Sequence, residues 1–500
     1  MLFAFPNSKM SRNSNMKLIN VIKNKVLLYL VSRYFTYFIE FLTSLGIAAK
    51  LGPFYFGVWG SVLLLLNYFQ QLHFGIANSV NVLLVHHIDD RKKCEEYIIN
   101  SMMLVGIIGG FIILCFALIF FLVPSFFDKY RIDNYFVLVC VIAFLQYFRL
   151  LFVNIYRVYN RLGYIIIAQS VTIVLTFFSV IFFKGETLIY SLVLCYLVGN
   201  AIAFLLPLFS SLIPKMSLKR LNREMQKSIL KKGMFLFLYN SCFYFILISI
   251  RTIISYNYKV EEFGVFTFSY TLANAMLLLL EAISFVFFPK IIQKLSSRDD
   301  NEVVATVKSL QNTYVISAHL LAYIAILLYP ILILFLPKYA GSETSFNFVS
   351  LSILVNTSSF VYATILIARN EEKSAAIISL IAFMINLVFG VFLTSVVNVE
   401  YYYVIFATMF SYICFTLLVA LKSTSLYKSS SKIEILSEAF PLSLVVPFVI
   451  SLLITLSRLY LLHFVPLSWF VVLNRDKLLF IKETVLKLVV NPSLANLGEK

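Results

Sequence analysis

The sequence predicts an all-α polytopic membrane protein of about twelve to fourteen transmembrane helices, built as two six-helix lobes related by a repeat, with both termini cytoplasmic. Three observations predict it. Hydrophobic residues make up 61% of the 500 and charged ones only 13%, with a mean hydropathy of +0.90, a balance that a soluble chain of this length does not sustain. Charge-poor runs of about 18 or more residues, long enough to cross the ~30 Å hydrocarbon core as helices, recur along the whole chain. Barrel strands would be shorter and would alternate in polarity. Finally, lysine and arginine gather in alternate loops, the pattern of a chain threaded repeatedly through a bilayer.

Taken in order, the spans fall near 26–48, 58–84, 97–123, 135–156, 164–183 and 188–211, then 233–255, 263–288, 309–336, 346–367, 375–396 and 401–421. A further pair lies near 440–457 and 464–473, the last short for a crossing and suited to the interface. The expected organisation is an N-terminal extension (1–25), a six-helix lobe (26–211), a basic cytoplasmic linker (212–232) and a second six-helix lobe (233–421). Residues 422–500 add one or two membrane segments and a basic cytoplasmic tail. Thirty-one of the forty-one lysines and arginines fall in one alternating set of loops and seven in the other, which puts both termini on the cytoplasmic side. The linker stretch "KMSLKRLNREMQKSILKK" alone carries seven. The net charge of +17 is thus a topology signal and an attraction to anionic lipid, and calls for no nucleic acid.

The first twenty residues lack the basic region, apolar core and small-residue cleavage site of a signal peptide, so targeting falls to the first span. Six cysteines show no paired spacing, and five of them lie within apolar runs, which supports neither a disulfide framework nor a metal site.

A short turn recurs. "KLGPFYFGVWG" (Lys50 to Gly60) and "KVEEFGVFTFS" (Lys259 to Ser269) both sit between apolar runs. A shift of 207 residues superimposes Phe56, Gly57 and Val58 on Phe263, Gly264 and Val265, and further on Asn67 on Asn274. Pro124 and Pro337 both close a third span, and "RVYNRLGY" and "IARNEEKS" both follow a fourth. Two six-helix units of the same orientation follow, related by an axis along the membrane normal and able to rock about a midplane site. Pro53 ends helix propagation, Gly57 and Gly264 permit close approach at the start of the next helix, and Tyr55, Trp59 and Phe266 suit the aromatic interface belt.

The turn, the distal "LHFGIANSV", a seventh helix after a basic linker and "EEFGVFTFSY" together resemble the bacterial O-antigen and oligosaccharide-lipid flippases. That family is the polysaccharide-exporter branch of the superfamily that includes multidrug antiporters. The resemblance covers roughly residues 16 to 425, and "MKLINVIKNK" resembles a usual family start. It implies a substrate in which undecaprenyl diphosphate carries a short sugar repeat unit for O-antigen, lipopolysaccharide or capsule, moved from the cytoplasmic to the periplasmic leaflet of the bacterial inner membrane. Where the family usually carries an acidic residue, this chain has Arg251.

Ionisable residues inside spans are costly in lipid and are site candidates by default. Arg33 and Glu40 lie seven apart, on one face of the first helix; Arg149 lies on the fourth, Arg251 on the seventh and Glu281 on the eighth. At about 1.5 Å per residue, Arg33, Arg149 and Glu281 fall in the inner half and Glu40 near the middle. Arg251 lies near the outer end and is the best placed to snorkel. Arg33 and Arg149 suit a lipid diphosphate, since guanidinium stays charged and offers a planar fork to phosphate oxygens. Asn67, Gln70 and Asn78 on the second helix, and Tyr156 and Asn160 at the end of the fourth, are the amide and aromatic groups that hold sugars. Glu40 and Glu281 are the candidates for coupling to a proton or sodium ion. No glycine-rich phosphate loop, carboxylate pair or histidine motif supports catalysis, and no cofactor or metal is called for. The expected function is therefore transport of a lipid-linked oligosaccharide by alternating access. The alternatives are a drug or cation antiporter of the same fold, which predicts an acid-dominated cavity, and a membrane polysaccharide polymerase or ligase, which predicts a sizeable periplasmic loop.

Overall fold

The computed structural model describes residues 25–210, 212–214, 221–428 and 431–490, with side chains from 31 onward except at 236, 277, 279–290 and 484–490. Among the described residues ten helices are long and apolar enough to cross a membrane, or eleven if the bent pair Lys432–Ala439 and Leu442–Leu456 makes one span. The expected spans at 26–48 and 58–84 count there as one, Val31–His86, which takes in most of the bent helix α1 (Lys25–Gln71) and the short helix Ile76–His86 after it. The helix α9 (Val260–Leu295) occupies the eighth expected position outside that count.

The bend in α1 is a reversal of the chain. Gly52 has φ 70° and ψ 173°, a region essentially reserved for glycine, and Pro53 brings no N–H to continue the helix. Before the break, α1 runs in the same direction as α6 (Leu162–Phe182): Arg33 donates to Gln169 Oε1 at 2.9 Å, and Lys50 donates to the Ile181 carbonyl at 2.9 Å. After it, the chain runs against α8 (Arg223–Asn257), with the Gly60 carbonyl accepting from Arg251 and the Gln71 carbonyl from Ser241. Both α6 and α8 start at one end of the bundle. The first turns of α3 (Arg91–Leu122) meet the loop before α6 through Cys94 and Tyr159, and the start of α8 through Asn100, which accepts the Asn222 N–H at 2.9 Å. That end bears the basic loops. The arms of α1 are therefore antiparallel, joined at the opposite, far end.

The recurrence of the turn now has a physical reason: the two copies pack on each other. A Cβ on Gly57 would overlap the Val260 carbonyl, and one on Gly264 would overlap the Pro53 carbonyl and lie 2.9 Å from the Gly57 nitrogen. Only glycine permits this approach of two backbones. Around it Phe56 meets Phe268 and Tyr339 edge-on at 6.0 Å. The most extensive helix pairing in the molecule, α1 with α9, is the result.

The remaining repeat signals are also conformational. Val123 and Leu336 hold nearly identical dihedrals (φ −130°, ψ 60° and φ −131°, ψ 59°), and in each case the following proline opens a short helix, α4 (Pro124–Lys129) or a single 3₁₀ turn (Pro337–Tyr339). After α5 (Phe136–Val158) and α12 (Glu343–Ala368), Asn160 and Asn370 take left-handed φ of 52° and 59°. The next N–H reaches back to Tyr156 at 2.9 Å and to Leu366 at 2.7 Å, the Schellman ending of a helix in both halves.

Helices α2 (Ile76–His86) and α7 (Gly185–Leu208) complete the first half. The second half continues through α10 (Asp300–Leu310), a π-helical turn at Gln311–Val315, α11 (Ile316–Phe335), α12, α13 (Glu372–Phe392) and α14 (Ile405–Thr424). Beyond it lie α15 (Lys432–Ala439), bent by 57° from α16 (Leu442–Leu456), then α17 (Phe464–Leu473) and α18 (Arg475–Val490).

Candidate functional site

The far end is sealed. Besides the paired turns, the Tyr339 hydroxyl donates to the Ala48 carbonyl at 3.3 Å, and Lys129 donates to the carbonyls of Ser255 and Tyr258 at 2.7 and 2.6 Å. Beneath this seal lies Arg251, which does not snorkel: it is 2% exposed. Its guanidinium donates to the Gly60 carbonyl at 3.3 Å and stands 4.6 Å from the Tyr270 ring centre, with Nε unpartnered. No described carboxylate pairs with it. Sequence position set its depth along the helix but not the face, and the face points into the joint between the halves.

From the seal towards the basic end, the first arm of α1 separates from α9 and α11 and leaves a groove of about 1130 Å³. It runs about 22 Å along α1 from Tyr34 to Ala49 at 1.5 Å per residue. The wall is mainly apolar, with Phe38, Phe41, Leu272, Met276, Leu328 and Phe335 prominent. Phe38, Leu328 and Ile331 are each more than half exposed at its rim, which opens sideways to the lipid around the bundle. Its polar groups are few: Tyr34, Tyr37, Glu40 and Ser44 on the α1 side face Tyr270, Thr271 and Asn274 of α9 and Tyr329 of α11.

Behind the α1 side of the groove the first half holds Arg33 and Arg149. Arg33 donates to Tyr37 Oη at 2.6 Å and to Gln169, so its guanidinium stands beside the basic end of the groove. Arg149, within α5, stands close to Tyr164 of α6 and Tyr196 of α7. Tyr196 is within electrostatic reach of both Glu40 and Arg149 and packs edge-on against Trp59 at 5.4 Å. Tyr156 stacks on Tyr164 at 4.2 Å. Four candidates are thereby brought to one polar layer: Arg33 at its edge, Glu40 in the groove wall, and Arg149 and Tyr156 behind. Nearby, buried Gln146 Oε1, Thr172 Oγ1, Asn200 Oδ1 and the Tyr147 hydroxyl have no protein partner among the described residues, and such groups call for water or ligand.

Other candidates lie elsewhere. Asn67, Gln70 and Asn78 are half-buried on the second arm of α1 and on α2. Asn160 is exposed in the turn after α5, where its left-handed backbone accounts for an asparagine without any sugar contact. The side chain of Glu281 lies outside the described residues. Sequence reasoning missed Tyr37, Tyr164, Gln169 and Tyr196. In a chain with 30 tyrosines, nothing in their spacing marks these as the partners of the charges.

No protein-family model and no curated protein matches the chain. Solved structures do. The lipid II flippase MurJ in an inward closed conformation superimposes with a TM-score of 0.63 at 13% identity, covering 92% of this chain and 100% of that one. An inward-facing multidrug resistance MATE family transporter of the MOP superfamily gives 0.61 at 13% identity over 80% of this chain and 100% of its own. An outward-facing MATE transporter gives 0.54 at 14% identity over 80% and 96%. The chain is a multi-pass membrane protein with the fold shared by MurJ and the MATE transporters.

Proposed function

We propose that the protein is a flippase for an undecaprenyl-diphosphate-linked oligosaccharide, an O-antigen or capsule repeat unit, which it carries from the cytoplasmic to the periplasmic leaflet of a bacterial inner membrane. One observation carries the reading: an apolar groove open sideways to lipid lies against a polar layer that holds two arginines. A polyprenyl chain stays in the groove while its diphosphate turns inward towards Arg33 and Arg149, whose forks match phosphate oxygens. The tyrosines around them offer ring faces and hydroxyls to sugars. The seal at one end and the groove beneath it are the two features that alternating access needs, with the two halves rocking about the joint. On this reading the basic loops and both termini are cytoplasmic, and the linker 212–232 joins lobes spanning 26–211 and 233–421. The neighbours of the same fold transport rather than catalyse, in keeping with a protein that is not an enzyme. No cofactor enters the reading.

Glu40 favours a second reading, a drug or cation antiporter, because it puts a carboxylate in the groove wall. One reconstitution separates the two. In proteoliposomes, the wild type is expected to flip a fluorescent polyprenyl-diphosphate sugar and to ignore a cationic dye. Loss of a charged hydrogen bond to phosphate costs about 1.5–3 kcal/mol, so Arg149→Ala should lower flipping roughly 10- to 100-fold, with partial recovery in Arg149→Lys. Glu40→Gln should keep the protein in the membrane and remove any dependence of flipping on a proton gradient. Dye export that Glu40→Gln abolishes and Arg149→Ala leaves intact would establish the antiporter instead.

A further inference from the structure

A second cavity, of about 440 Å³, lies at the basic end, outside both halves of the transport path. It is enclosed by α10 and the π-helical turn, α12, the end of α14, α15, α16 and α18. Three lysines from three separate elements line it: Lys308, Lys428 and Lys477. Among the described residues the one carboxylate in its wall, Glu438, pairs with Lys428 at 2.8 Å. The surplus positive charge therefore rests on Lys308 and Lys477. Among the described residues Lys477 is held by neutral groups only, Asn474 Oδ1 at 3.1 Å and Ser443 Oγ at 3.4 Å. Burial lowers its pKa from the usual lysine value, a cost that an anion beside it would remove.

The π-helical turn widens the helix at the cavity wall, an irregularity frequent at functional sites. It sets two amides, Gln311 and Asn312, on the same wall as the lysines. Gln311 is fixed by donating to the Tyr362 hydroxyl at 2.8 Å and to the Glu438 carbonyl at 3.3 Å. The rest of the lining is mainly apolar, with Val307, Val315, Ile316 and Leu444 prominent.

The depth of the cavity follows from the two short helices that flank it. Helix α15 turns 57° away from the membrane-directed α16 and leaves Ile433 79% and Leu436 42% exposed; α18 likewise exposes Leu479 and Phe480 beside its charged residues. Helices with one apolar and one charged face lie in the plane of the headgroups. A basic pocket between transmembrane helices at that level fits a phosphate-bearing headgroup above and the first methylenes of its chains below. We propose that this cavity binds the phosphate headgroup of an anionic glycerolipid and so ties α15–α18 to the second half. The proposal stands whichever substrate crosses the membrane.

The test uses the full chain in neutral detergent, with thermal unfolding followed as phosphatidylglycerol, phosphatidylcholine or inorganic phosphate is titrated in. Phosphatidylglycerol is expected to raise the midpoint, and the other two are not. A lysine at an anionic lipid surface contributes about fivefold in affinity, so the double variant Lys308→Gln, Lys477→Gln should weaken the phosphatidylglycerol effect by roughly 25-fold, while Lys184→Gln leaves it unchanged. Each single variant, expected to lose about fivefold, gives the same reading should the double variant fail to fold. Equal stabilisation by phosphatidylcholine, full stabilisation by inorganic phosphate alone, or an unchanged titration in the variants would each overturn the proposal.

Discussion

Gly264→Leu should open the far end of the bundle and, on the proposed function, reduce transport at least about tenfold while the protein still reaches the membrane. The reason lies in the paired turns. Gly264 sits so close to the Pro53 carbonyl and the Gly57 nitrogen that even one added carbon overlaps them. Neither neighbour is a flexible side chain that could move aside. Overpacking of this kind costs typically about 1–3 kcal/mol, and here the cost arises only while the seal is closed. A state-specific penalty of that size shifts the balance between sealed and open forms by roughly 5- to 150-fold. Gly57→Leu meets the Val260 carbonyl and should act alike, and combining the two should add little, since both disrupt one contact. Ser269, fully buried behind the seal, reports the change: after replacement of the six free cysteines, Ser269→Cys should be refractory to a membrane-impermeant maleimide and become reactive when Gly264→Leu is added. Normal transport together with an unlabelled Ser269→Cys would show that the joint does not open in the cycle.

The same turn shows what a sequence exposes and what it conceals. Apolar length marked the membrane-crossing helices, since crossing a bilayer demands it, but not the breaks within them: the expected span 58–84 is interrupted between Gln71 and Ile76. The repeat was visible because a backbone-to-backbone contact forces glycine at both Gly57 and Gly264. Asn160 and Asn370 were visible as a pair for a related reason: both end a helix in a left-handed conformation. Their shared conformation was not visible: the left-handed backbone of Asn160 gives a reason for an asparagine there beside the expected contact with sugar. The reversal at Gly52 was legible only through Pro53, because the left-handed φ follows from the packing of both arms. Arg251 shows the limit most plainly. Its distance from the helix end indicated an arginine within reach of headgroups, whereas rotation about the helix axis, set by packing on Gly60 and Tyr270, decides that it never reaches them.

That burial makes Arg251→Met the most informative substitution in the joint. A cation without a carboxylate partner costs several kcal/mol in a site that excludes water. Here a hydrogen bond to the Gly60 carbonyl and the Tyr270 side chain, through a hydrogen bond and its ring face, return part of that cost. The sealed state thus carries a charge with no carboxylate partner among the described residues, which would gain solvation or a phosphate partner once the halves separate. Methionine fills a similar volume without the charge, so it should stabilise the sealed form selectively. The expected result is a melting temperature at or above that of the wild type, combined with transport slowed by about tenfold and Ser269→Cys still protected. Arg251→Lys keeps the charge, loses the fork and should transport better than Arg251→Met. A melting temperature several degrees below wild type in Arg251→Met, with residual transport in proportion to the folded protein, would instead make Arg251 a structural tie between the halves, and the charge would have no part in opening them.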